Sequence, residues 1–342
     1  MAEPRFLVLR LGSLGDIVHT FPAVAGLRES FPRAEIGWLT HPRWSFLVES
    51  SSLASQVWAV ESRSFVSVAG TIRRLRQTHW DAAIDYQGLW KTATLPFLGG
   101  VRRRIGFSSE TIREFGVPLL YTDRVRCMTT HIADQNGELS LRAGARRGVA
   151  DFALRVPAAD ESTVAAYLRR AGIDRYIVLS PGGGWRSKCW PAERFGELCC
   201  RLRQSLGLRC IVNYGPGEDD LAAAVRTASG DAAPLLYNSE LGQLMALLRN
   251  ALCVVGGDTG PLHLAIALGT PAVALFGPTD PARNGPYHRL ARPETTTGET
   301  IVLRARDSIT THSRAEAPDP SMLAIEVDSV FDAVRRCVGD SA

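Results

Sequence analysis

Short apolar segments alternate along the chain with longer stretches in which apolar and polar residues mix at helical spacing. In the first half, the apolar runs lie at residues 6–9, 35–39 and 82–85, and an amphipathic stretch at residues 17–29 follows the first run. A continuous apolar run is typical of a parallel strand that is covered on both faces. Strand, helix and strand at this spacing predict the βαβ units of a parallel sheet.

The same pattern begins again after a predicted helix at residues 163–171. Further strands are predicted at residues 176–180, 210–213, 253–255 and 272–276, and further helices after Pro191 and at residues 327–338. Residues 292–322 are polar and carry no pattern to which an element can be assigned. The elements predict an α/β protein with two doubly wound, Rossmann-like parallel-sheet domains facing each other across a cleft. We expect the two domains to comprise residues 1–160 and 161–342. The last helix packs either within the C-terminal domain or back on the N-terminal one.

Composition narrows the class of protein. The 342 residues are 45% hydrophobic and 22% charged, as in ordinary globular proteins, and a net charge of +4 without a recognisable motif does not indicate nucleic-acid binding. Seven cysteines without a CxxC pair favour reduced thiols over disulfides or a zinc site. No secretory signal pattern or run of ~18 apolar residues is present. We therefore expect a cytoplasmic protein, or one lying on a membrane surface without crossing it.

A basic cluster is the main irregularity in the charge distribution. Arg102, Arg103 and Arg104 are consecutive, with Lys91 before them and Arg113 after them. Such a run is either a solvated face or a patch that attracts an anionic acceptor or anionic lipid head groups. The sequence leaves both interpretations open.

The first of three glycine-rich turns follows the first predicted strand and contains Gly12, Gly15 and Asp16. It does not have the GxGxxG spacing of a dinucleotide-binding turn. Asp16 either caps the next helix or acts as a general base toward a hydroxyl group, its charged form being favoured at a helix start. The spacing supports the two roles about equally.

The second turn, at residues 181–184, contains three consecutive glycines, and Lys188 lies four residues beyond them. Glycines let backbone N–H groups approach an anion, and the lysine adds a positive charge. The turn lacks the GxxxxGK[ST] pattern, which disfavours kinase or ATPase chemistry. The structural alternative is a surface turn with a solvated lysine.

The third turn, at residues 256–263, lies where an apolar strand stops and a helix begins at once. The free N–H groups and positive dipole end of such a helix suit a diphosphate. The structural alternative is that Asp258 only caps the helix. Because Asp-x-Asp and histidine metal motifs are lacking, we expect no metal and no cofactor, and expect backbone N–H groups with Lys188 to neutralise the diphosphate. A GxSxG nucleophile elbow is lacking too.

Five segments in this order resemble glycosyltransferase family 9, the ADP-heptose:lipopolysaccharide heptosyltransferases, over roughly residues 5–288. They are residues 10–20, 85–93, 188–191, 258–263 and 277–281. The resemblance implies the two-domain GT-B fold, an acceptor-binding N-terminal domain that carries the catalytic base, a C-terminal nucleotide-sugar donor domain, and inversion without a metal.

The resemblance also implies roles for individual residues. The implied catalytic residues are Asp16, as base, and Lys188, as phosphate contact. The implied donor-binding residues are Gly183, Gly184, Glu218 (for the ribose), Asp258, Thr259, Gly260 and His263. The acceptor-binding candidates are Ser13, Gly15, Lys91, Arg102 and Arg104. Two glycines, Gly183 and Gly184, stand where hydroxyl side chains are expected, and residues 289–322 look like an addition, which leaves the donor sugar and the acceptor open.

The expected function is transfer of a heptose from ADP-heptose to an anionic glycolipid, Kdo-lipid A, at the cytoplasmic face of the inner membrane. The segment at residues 85–93 and the HTxP motif after Asp16 are more similar to the enzymes that add the first heptose than to those that add the second. Alternatives are another nucleotide sugar and glycan acceptor, or a nucleotide-sugar epimerase or hydrolase, which would turn over donor without acceptor. An inactive binding protein is a further alternative, whose signature would be loss of Asp16.

Overall fold

The computed structural model describes residues 3–112, 114–146, 152–287, 299–311 and 315–339. The chain divides into two compact units, Met1–Arg155 and Val156–Ala342. The expected division after residue 160 would pass through the helix Ala158–Arg170. That helix packs on the helix Leu241–Arg249, so all of it belongs to the C-terminal unit. Arg113 of the basic cluster and part of residues 289–322 lie outside the described residues.

The N-terminal unit contains a six-stranded sheet. Its strands are β1 Arg5–Leu9, β2 Glu35–Thr40, β3 Gln56–Ala59, β4 Ala82–Asp85, β5 Arg104–Phe107 and β6 Asp123–Val125. Its helices are α1 Leu14–Val18, α2 Phe21–Ser30, α3 Ser45–Ser50, α4 Phe65–Gln77, α5 Trp90–Leu98 and α6 Ile132–Ala143, with 3₁₀ turns at Pro42–Trp44 and Val117–Leu120.

The C-terminal unit contains a second six-stranded sheet. Its strands are β7 Tyr176–Ser180, β8 Arg209–Tyr214, β9 Leu235–Asn238, β10 Cys253–Gly257, β11 Ala272–Phe276 and β12 Thr300–Arg304. Its helices are α7 Ala158–Arg170, α8 Ala192–Leu206, α9 Asp219–Ala228, α10 Leu241–Arg249, α11 Gly260–Ala267, α12 Pro281–Asn284, α13 Pro320–Leu323 and α14 Val327–Val338, with 3₁₀ turns at Arg186–Lys188 and Gly230–Ala232. The last helix, α14, packs on β10, β11, β12 and α8 of this unit.

Both sheets are wholly parallel and have the same topology. The strand orders are β3-β2-β1-β4-β5-β6 and β12-β11-β10-β7-β8-β9. In each unit the first strand lies between the second and the fourth, so the chain leaves it toward one edge and returns on its other side. This creates a switch point between β1 and β4, and another between β7 and β10, where the following loops diverge and leave room for a ligand. The prediction of two doubly wound parallel sheets is confirmed.

Helices cover both faces of each sheet, which explains why the strands are apolar at successive positions. Along β11, Val273 and Leu275 pack with α8 and α14, whereas Ala272, Ala274 and Phe276 pack with α11. Side chains alternate between the faces of a strand, so a strand covered on both faces needs apolar residues at odd and even positions alike.

The pattern suggested a single helix over residues 17–29, but the structure divides this amphipathic stretch between two helices. Helix α1 ends at Val18 and α2 begins at Phe21, with Pro22 in its first turn. Proline is favoured in a first turn but cannot continue a preceding helix, because it lacks the N–H group. The break leaves α1 as little more than one turn, and this turn carries Asp16.

Among the described residues, no helix combines the length and apolarity needed to cross a bilayer.

A close contact in the N-terminal core gives a test of this packing. A Cβ atom on Gly37 of β2 would lie 2.4 Å from Cη2 of Trp80, whose ring packs edge-on against Trp58. We expect Gly37→Ala to lower the free energy of unfolding by about 1–3 kcal/mol, since a packed core resists added volume. Gly70→Ala is the matched control, because this glycine lies in α4 and no atom of the described residues lies within 4 Å of its added Cβ. The change should stabilise the helix by about 0.5–1 kcal/mol. Urea unfolding followed by circular dichroism measures both, and a Gly37→Ala protein as stable as wild type would contradict the packing.

Candidate functional site

The three glycine-rich turns all follow strands that flank a switch point. The turn with Asp16 follows β1, and the segment with Gln87 follows β4. In the C-terminal unit, Lys188 follows β7 and Asp258 follows β10. Parallel strands end at the same edge of their sheet, so each unit brings two of these loops side by side.

In the N-terminal unit, the carboxylate of Asp16 is held by two neighbours. Nη2 of Arg10 lies 2.6 Å from its Oδ1, and the backbone N–H and hydroxyl of Ser13 donate to its Oδ2 at 2.9 and 3.0 Å. These contacts stabilise the charged form of the carboxylate. The side chain is nevertheless 43% exposed. The two roles left open by the sequence are therefore compatible, because the carboxylate that caps α1 also faces solvent.

The position of Arg10 depends on the loop after β4. Arg10 is buried, and its Nη1 donates a hydrogen bond to the carbonyl oxygen of Tyr86. The N–H of Leu11 donates to Oε1 of Gln87 at 2.8 Å. The loop after β4 thus fixes the loop after β1, and through Arg10 it fixes the carboxylate of Asp16.

Asp85, the last residue of β4, holds this loop in place through hydrogen bonds in the interior of the unit. Its buried carboxylate accepts hydrogen bonds from the N–H groups of Gln87 and Gly88, from Oγ1 of Thr92 at 2.9 Å and from the hydroxyl of Tyr121 at 2.7 Å. Burial raises the pKa of Asp85, and the hydrogen bonds oppose this effect. Both carboxylate oxygens are engaged inside the fold, so Asp85 shapes the loop and is not presented to a ligand.

Three of the acceptor candidates share the edge of the sheet that carries Asp16. Ser13 and Gly15 belong to the same turn, Ser13 exposed and Gly15 buried. Lys91 is the second residue of α5, just beyond the loop after β4, and is exposed. These placements agree with a binding surface around Asp16.

The other two acceptor candidates, Arg102 and Arg104, lie elsewhere, which corrects the expectation from the sequence. Arg104 is the first residue of β5 and pairs with Ala83 near the start of β4, so both arginines lie at the amino edge of the sheet. Asp16 lies at the carboxyl edge. Arg104 is also engaged, since its guanidinium donates to the carbonyl oxygens of Leu120 at 2.7 Å and Val101 at 2.6 Å, and burial lowers its pKa.

In the C-terminal unit, Asp258 holds two basic side chains. Its Oδ2 lies 2.8 Å from Nζ of Lys188, and its Oδ1 lies 3.0 Å from Nε2 of His263. All three side chains are largely buried. Burial by itself would raise the pKa of Asp258, but the hydrogen bond and charge of His263 and the charge of Lys188 hold it well below its usual range. Lys188 also lies over the ring of Trp185, 4.4 Å from its centroid.

Helix α11 begins directly beside this triad. Thr259, not Asp258, is its N-cap, and the Thr259 side chain makes no capping hydrogen bond. The carboxylate of Asp258 contacts Lys188 and His263 instead, so the structural alternative for Asp258 as a helix cap is wrong. The N–H groups of the first turn carry the positive end of the helix dipole. The hydroxyl of Thr259 is buried and has no hydrogen-bond partner among the described residues. Since a buried hydroxyl normally finds a partner, this one suits a ligand oxygen.

The glycines of the second turn bring the backbone close to the other donor candidates. A Cβ on Gly182 would lie 2.1 Å from Oε1 of Glu218, and one on Gly183 would lie 3.3 Å from Cγ2 of Thr259. An added Cβ on Gly184 would have no atom of the described residues within 4 Å. Oε2 of Glu218 accepts the N–H of Gly215 at 2.8 Å, which fixes this carboxylate at the start of α9. The structure therefore places Glu218 beside Gly182 and Thr259 beside Gly183, and leaves Gly184 without such a close neighbour among the described residues.

Two residues at these sites had no predicted role, Arg10 and Trp185. Arg10 is a charged residue at the end of a buried strand, which is a signal that could have been used, because buried charges are normally paired. Trp185 gave no such signal. Among the described residues, no group of three or more His, Cys, Asp or Glu side chains is arranged to hold a metal ion.

Comparison with known proteins identifies relatives of this arrangement. Residues 68–299 match the family described as glycosyltransferase family 9 (heptosyltransferase). Lipopolysaccharide heptosyltransferase 1 of Pseudomonas aeruginosa is 28% identical over 303 residues, covering 83% of this chain and 82% of that protein. Lipopolysaccharide heptosyltransferase 3 of Escherichia coli is 26% identical over 282 residues, covering 78% and 80%. The structure of E. coli ADP-heptose lps heptosyltransferase II superposes with a TM-score of 0.78 at 19% identity, over 97% of this chain and 98% of the other. The expected GT-B fold is confirmed by this likeness.

The buried triad predicts a dependence of stability on pH. The lowered pKa of Asp258 contributes stability that is fully present above the usual carboxyl pKa of about 4 and is lost as the pH falls through the lower value of the folded state. Asp258→Asn should lower the free energy of unfolding at pH 7 by about 3–5 kcal/mol, because it leaves Lys188 largely buried without its carboxylate. It should also reduce the loss of stability between pH 5 and pH 3. Urea unfolding at several pH values measures both effects, with Asp231→Asn, at an exposed aspartate of the same unit, as the control. An unchanged pH profile would show that Asp258 is not held in this way.

Proposed function

The chain belongs to glycosyltransferase family 9, and we propose that it transfers a heptose from ADP-heptose to an anionic glycolipid acceptor of the Kdo-lipid A type, with inversion and without a metal ion. The observation that carries the proposal is the triad of Asp258, Lys188 and His263 at the start of α11. It offers a preorganised site for a diphosphate, the leaving group of a nucleotide sugar.

Donor binding is assigned to the C-terminal unit. The N–H groups at the start of α11 and the ammonium of Lys188 are suited to the two phosphates, as is the hydroxyl of Thr259, which has no hydrogen-bond partner in the described part of the chain. His263 remains on Asp258 when the diphosphate draws Lys188 away, so the carboxylate keeps a hydrogen bond. The carboxylate of Glu218, fixed beside Gly182, can accept hydrogen bonds from ribose hydroxyls. The choice of a heptose is supported by the family, and the choice of its ADP-linked form by the name of the solved E. coli structure that shares the fold.

The chemical step begins at Asp16. An oxygen of its carboxylate takes the proton of an acceptor hydroxyl as that oxygen forms a bond to the anomeric carbon of the donor. The bond from this carbon to the diphosphate breaks on the opposite side, which inverts the configuration. The electron pair leaves with ADP, whose added charge is stabilised by Lys188 and the N–H groups of α11. Arg10 and Ser13 keep the carboxylate of Asp16 oriented throughout.

Acceptor binding is assigned to the edge of the N-terminal sheet around Asp16. The exposed ammonium of Lys91 and the turn with Ser13 and Gly15 lie there. A positive charge at this edge attracts a carboxylated or phosphorylated acceptor. Because such an acceptor is anchored in a bilayer, the enzyme works at the cytoplasmic face of the inner membrane.

The first test removes the base and keeps the shape of the side chain. Asp16→Asn should lower the transfer rate by about 10²–10⁴, the usual contribution of a positioned base, and leave the Kd for the donor within a few fold. Transfer from ADP-heptose to Kdo-lipid A is followed by mass spectrometry in the presence of EDTA, with Glu49→Gln, an exposed acid on α3, as the control.

Three outcomes of this assay would contradict the proposal. Transfer by Asp16→Asn within tenfold of wild type would remove Asp16 from the role of base. Activity that requires added Mg²⁺ or Mn²⁺ would contradict the metal-free step. Donor turnover without any acceptor would favour the epimerase or hydrolase alternative.

The second test addresses the donor site through two neighbouring glycines. A Cβ at Gly182 would displace the carboxylate of Glu218, whereas one at Gly184 would meet no atom of the described residues within 4 Å. Gly182→Ala should therefore raise the Kd for the donor about tenfold or more, as expected for loss of hydrogen bonds to a charged group, while Gly184→Ala stays near wild type. Calorimetric titration with ADP compares the two. Equal affinities would show that Glu218 does not contact the nucleotide.

A further inference from the structure

The outer face of α5 and the segment after β5 expose five large apolar side chains. They are Trp90 (46% exposed), Phe97 (47%), Leu98 (45%), Phe115 (97%) and Leu119 (72%), here called the apolar patch. Isolated apolar residues are normal on a protein surface, but a contiguous group marks a surface that binds a partner or a membrane.

Contacts beside the patch bring α5 and the segment after β5 together. Trp90 and Phe97 lie two turns apart on one face of α5, whose other face is buried. The N–H of Trp90 donates to Glu114 at 2.6 Å, and a Cβ on Gly116 would lie 3.0 Å from the Trp90 ring, which places Phe115, between them in sequence, next to the helix.

At the other end of the patch, Arg104 contacts both α5 and the segment that contains Leu119. Its guanidinium lies 5.4 Å from the centroid of Phe97 and donates to the carbonyl oxygen of Leu120, the neighbour of Leu119. One surface therefore runs along α5 and the chain beside it.

Basic residues border this surface. Lys91 lies on α5 beside Trp90, and Arg102 and Arg104 lie just beyond its end. Nε of Arg76 donates to the carbonyl oxygen of Leu98 at 3.0 Å. One acidic residue, Glu114, adjoins the patch, and its carboxylate accepts the N–H of Trp90.

We propose that the apolar patch and its basic border dock the enzyme on an anionic lipid bilayer. This inference rests on the proposed function, since a lipid-linked acceptor places the reaction at such a surface. Apolar side chains enter the boundary between head groups and acyl chains, tryptophan is favoured at that depth, and each lysine or arginine beside anionic lipids strengthens binding by about fivefold. Arg102 and Arg104 lie at the amino edge of the sheet, away from Asp16, so they are poorly placed to bind the acceptor there. In this proposal they contact lipid head groups instead.

Charge argues against a second copy of the chain as the occupant. In a two-fold symmetric dimer the same surface of both copies meets itself. Lys91, Arg102 and Arg104 would then border an interface opposite an identical positive set, and such contacts are repulsive. An anionic bilayer complements them.

The test measures binding to vesicles directly and does not depend on catalysis. Sedimentation with vesicles of phosphatidylcholine, with or without phosphatidylglycerol, compares wild type with Phe115→Ser/Leu119→Ser, whose side chains are exposed and can change without disturbing the core. Ile309→Ser is the matched control, an 80% exposed apolar residue of the C-terminal unit. We expect wild type and the control to bind the anionic vesicles, the double variant to bind them at least tenfold more weakly, and Arg102→Gln to weaken binding mainly at low salt.

Activity assays separate this proposal from the proposed function. With a water-soluble, delipidated acceptor the double variant should match wild type, whereas with acceptor in vesicles it should be slower. Equal vesicle binding by the double variant and wild type, or no preference of wild type for anionic vesicles, would overturn the docking surface even if transfer activity is present. A wild-type dimer that the double variant converts to monomers would overturn it too, because the patch would then be a subunit interface. Vesicle binding as expected, without transfer to any acceptor, would instead contradict the proposed function.

Discussion

The position of the first strand inside each parallel sheet is the constraint on which both sites depend. Strand β1 is hydrogen-bonded on one side to β2 and on the other to β4, and β7 is placed in the same way between β8 and β10. The chain must therefore cross from one side of this strand to the other, and the loops that follow the two central strands separate at the carboxyl edge. Asp16 and the loop that fixes it occupy this edge in one unit, and Lys188 and Asp258 occupy it in the other. The side chains at the two carboxyl edges differ, but the gap between the loops arises from the same strand order in both sheets.

Two buried aspartates at these edges, Asp85 and Asp258, have different neighbours, and these neighbours determine whether the carboxylate has a structural or a binding role. Asp85 is surrounded by neutral donors, and burial raises its pKa. Asp258 is held by a lysine and a histidine, whose charges lower its pKa. Neutral donors such as the hydroxyl of Tyr121 belong to the fold and stay with Asp85. A lysine can exchange its partner for an anionic ligand, so only the second arrangement suits a binding site.

The sequence predicted the central elements and the C-terminal site better than the rest. Central strands such as β7 and β11 are apolar at successive positions because both faces are covered, and that pattern is visible without a structure. The edge strand β12 lay in a stretch with no assigned element, because its side chains are only partly buried.

The residues of the sites differ in how far the sequence could identify them. Asp258, Thr259 and His263 are close in sequence, so a single glycine-rich turn pointed to all three. The contact of Arg10 with Tyr86 joins residues 76 positions apart, and no local pattern reports it. A run of arginines likewise shows that charge is concentrated but not at which edge of the sheet it lies.

The charged groups of the C-terminal site hold one another in place, and this bears on how they would act in the proposed transfer. Lys188 is fixed by Asp258 and by the ring of Trp185, so its ammonium loses little freedom when a diphosphate binds. If the donor binds as proposed, the attraction of Asp258 for Lys188 would oppose binding of the intact donor, since the diphosphate would have to compete for the same ammonium. In the proposed step, the diphosphate would gain negative charge as the bond to the sugar breaks, whereas the carboxylate of Asp258 would not, and the balance would shift toward the leaving group. An arrangement of this kind favours the transition state over the bound donor, which is the condition for acceleration of the chemical step.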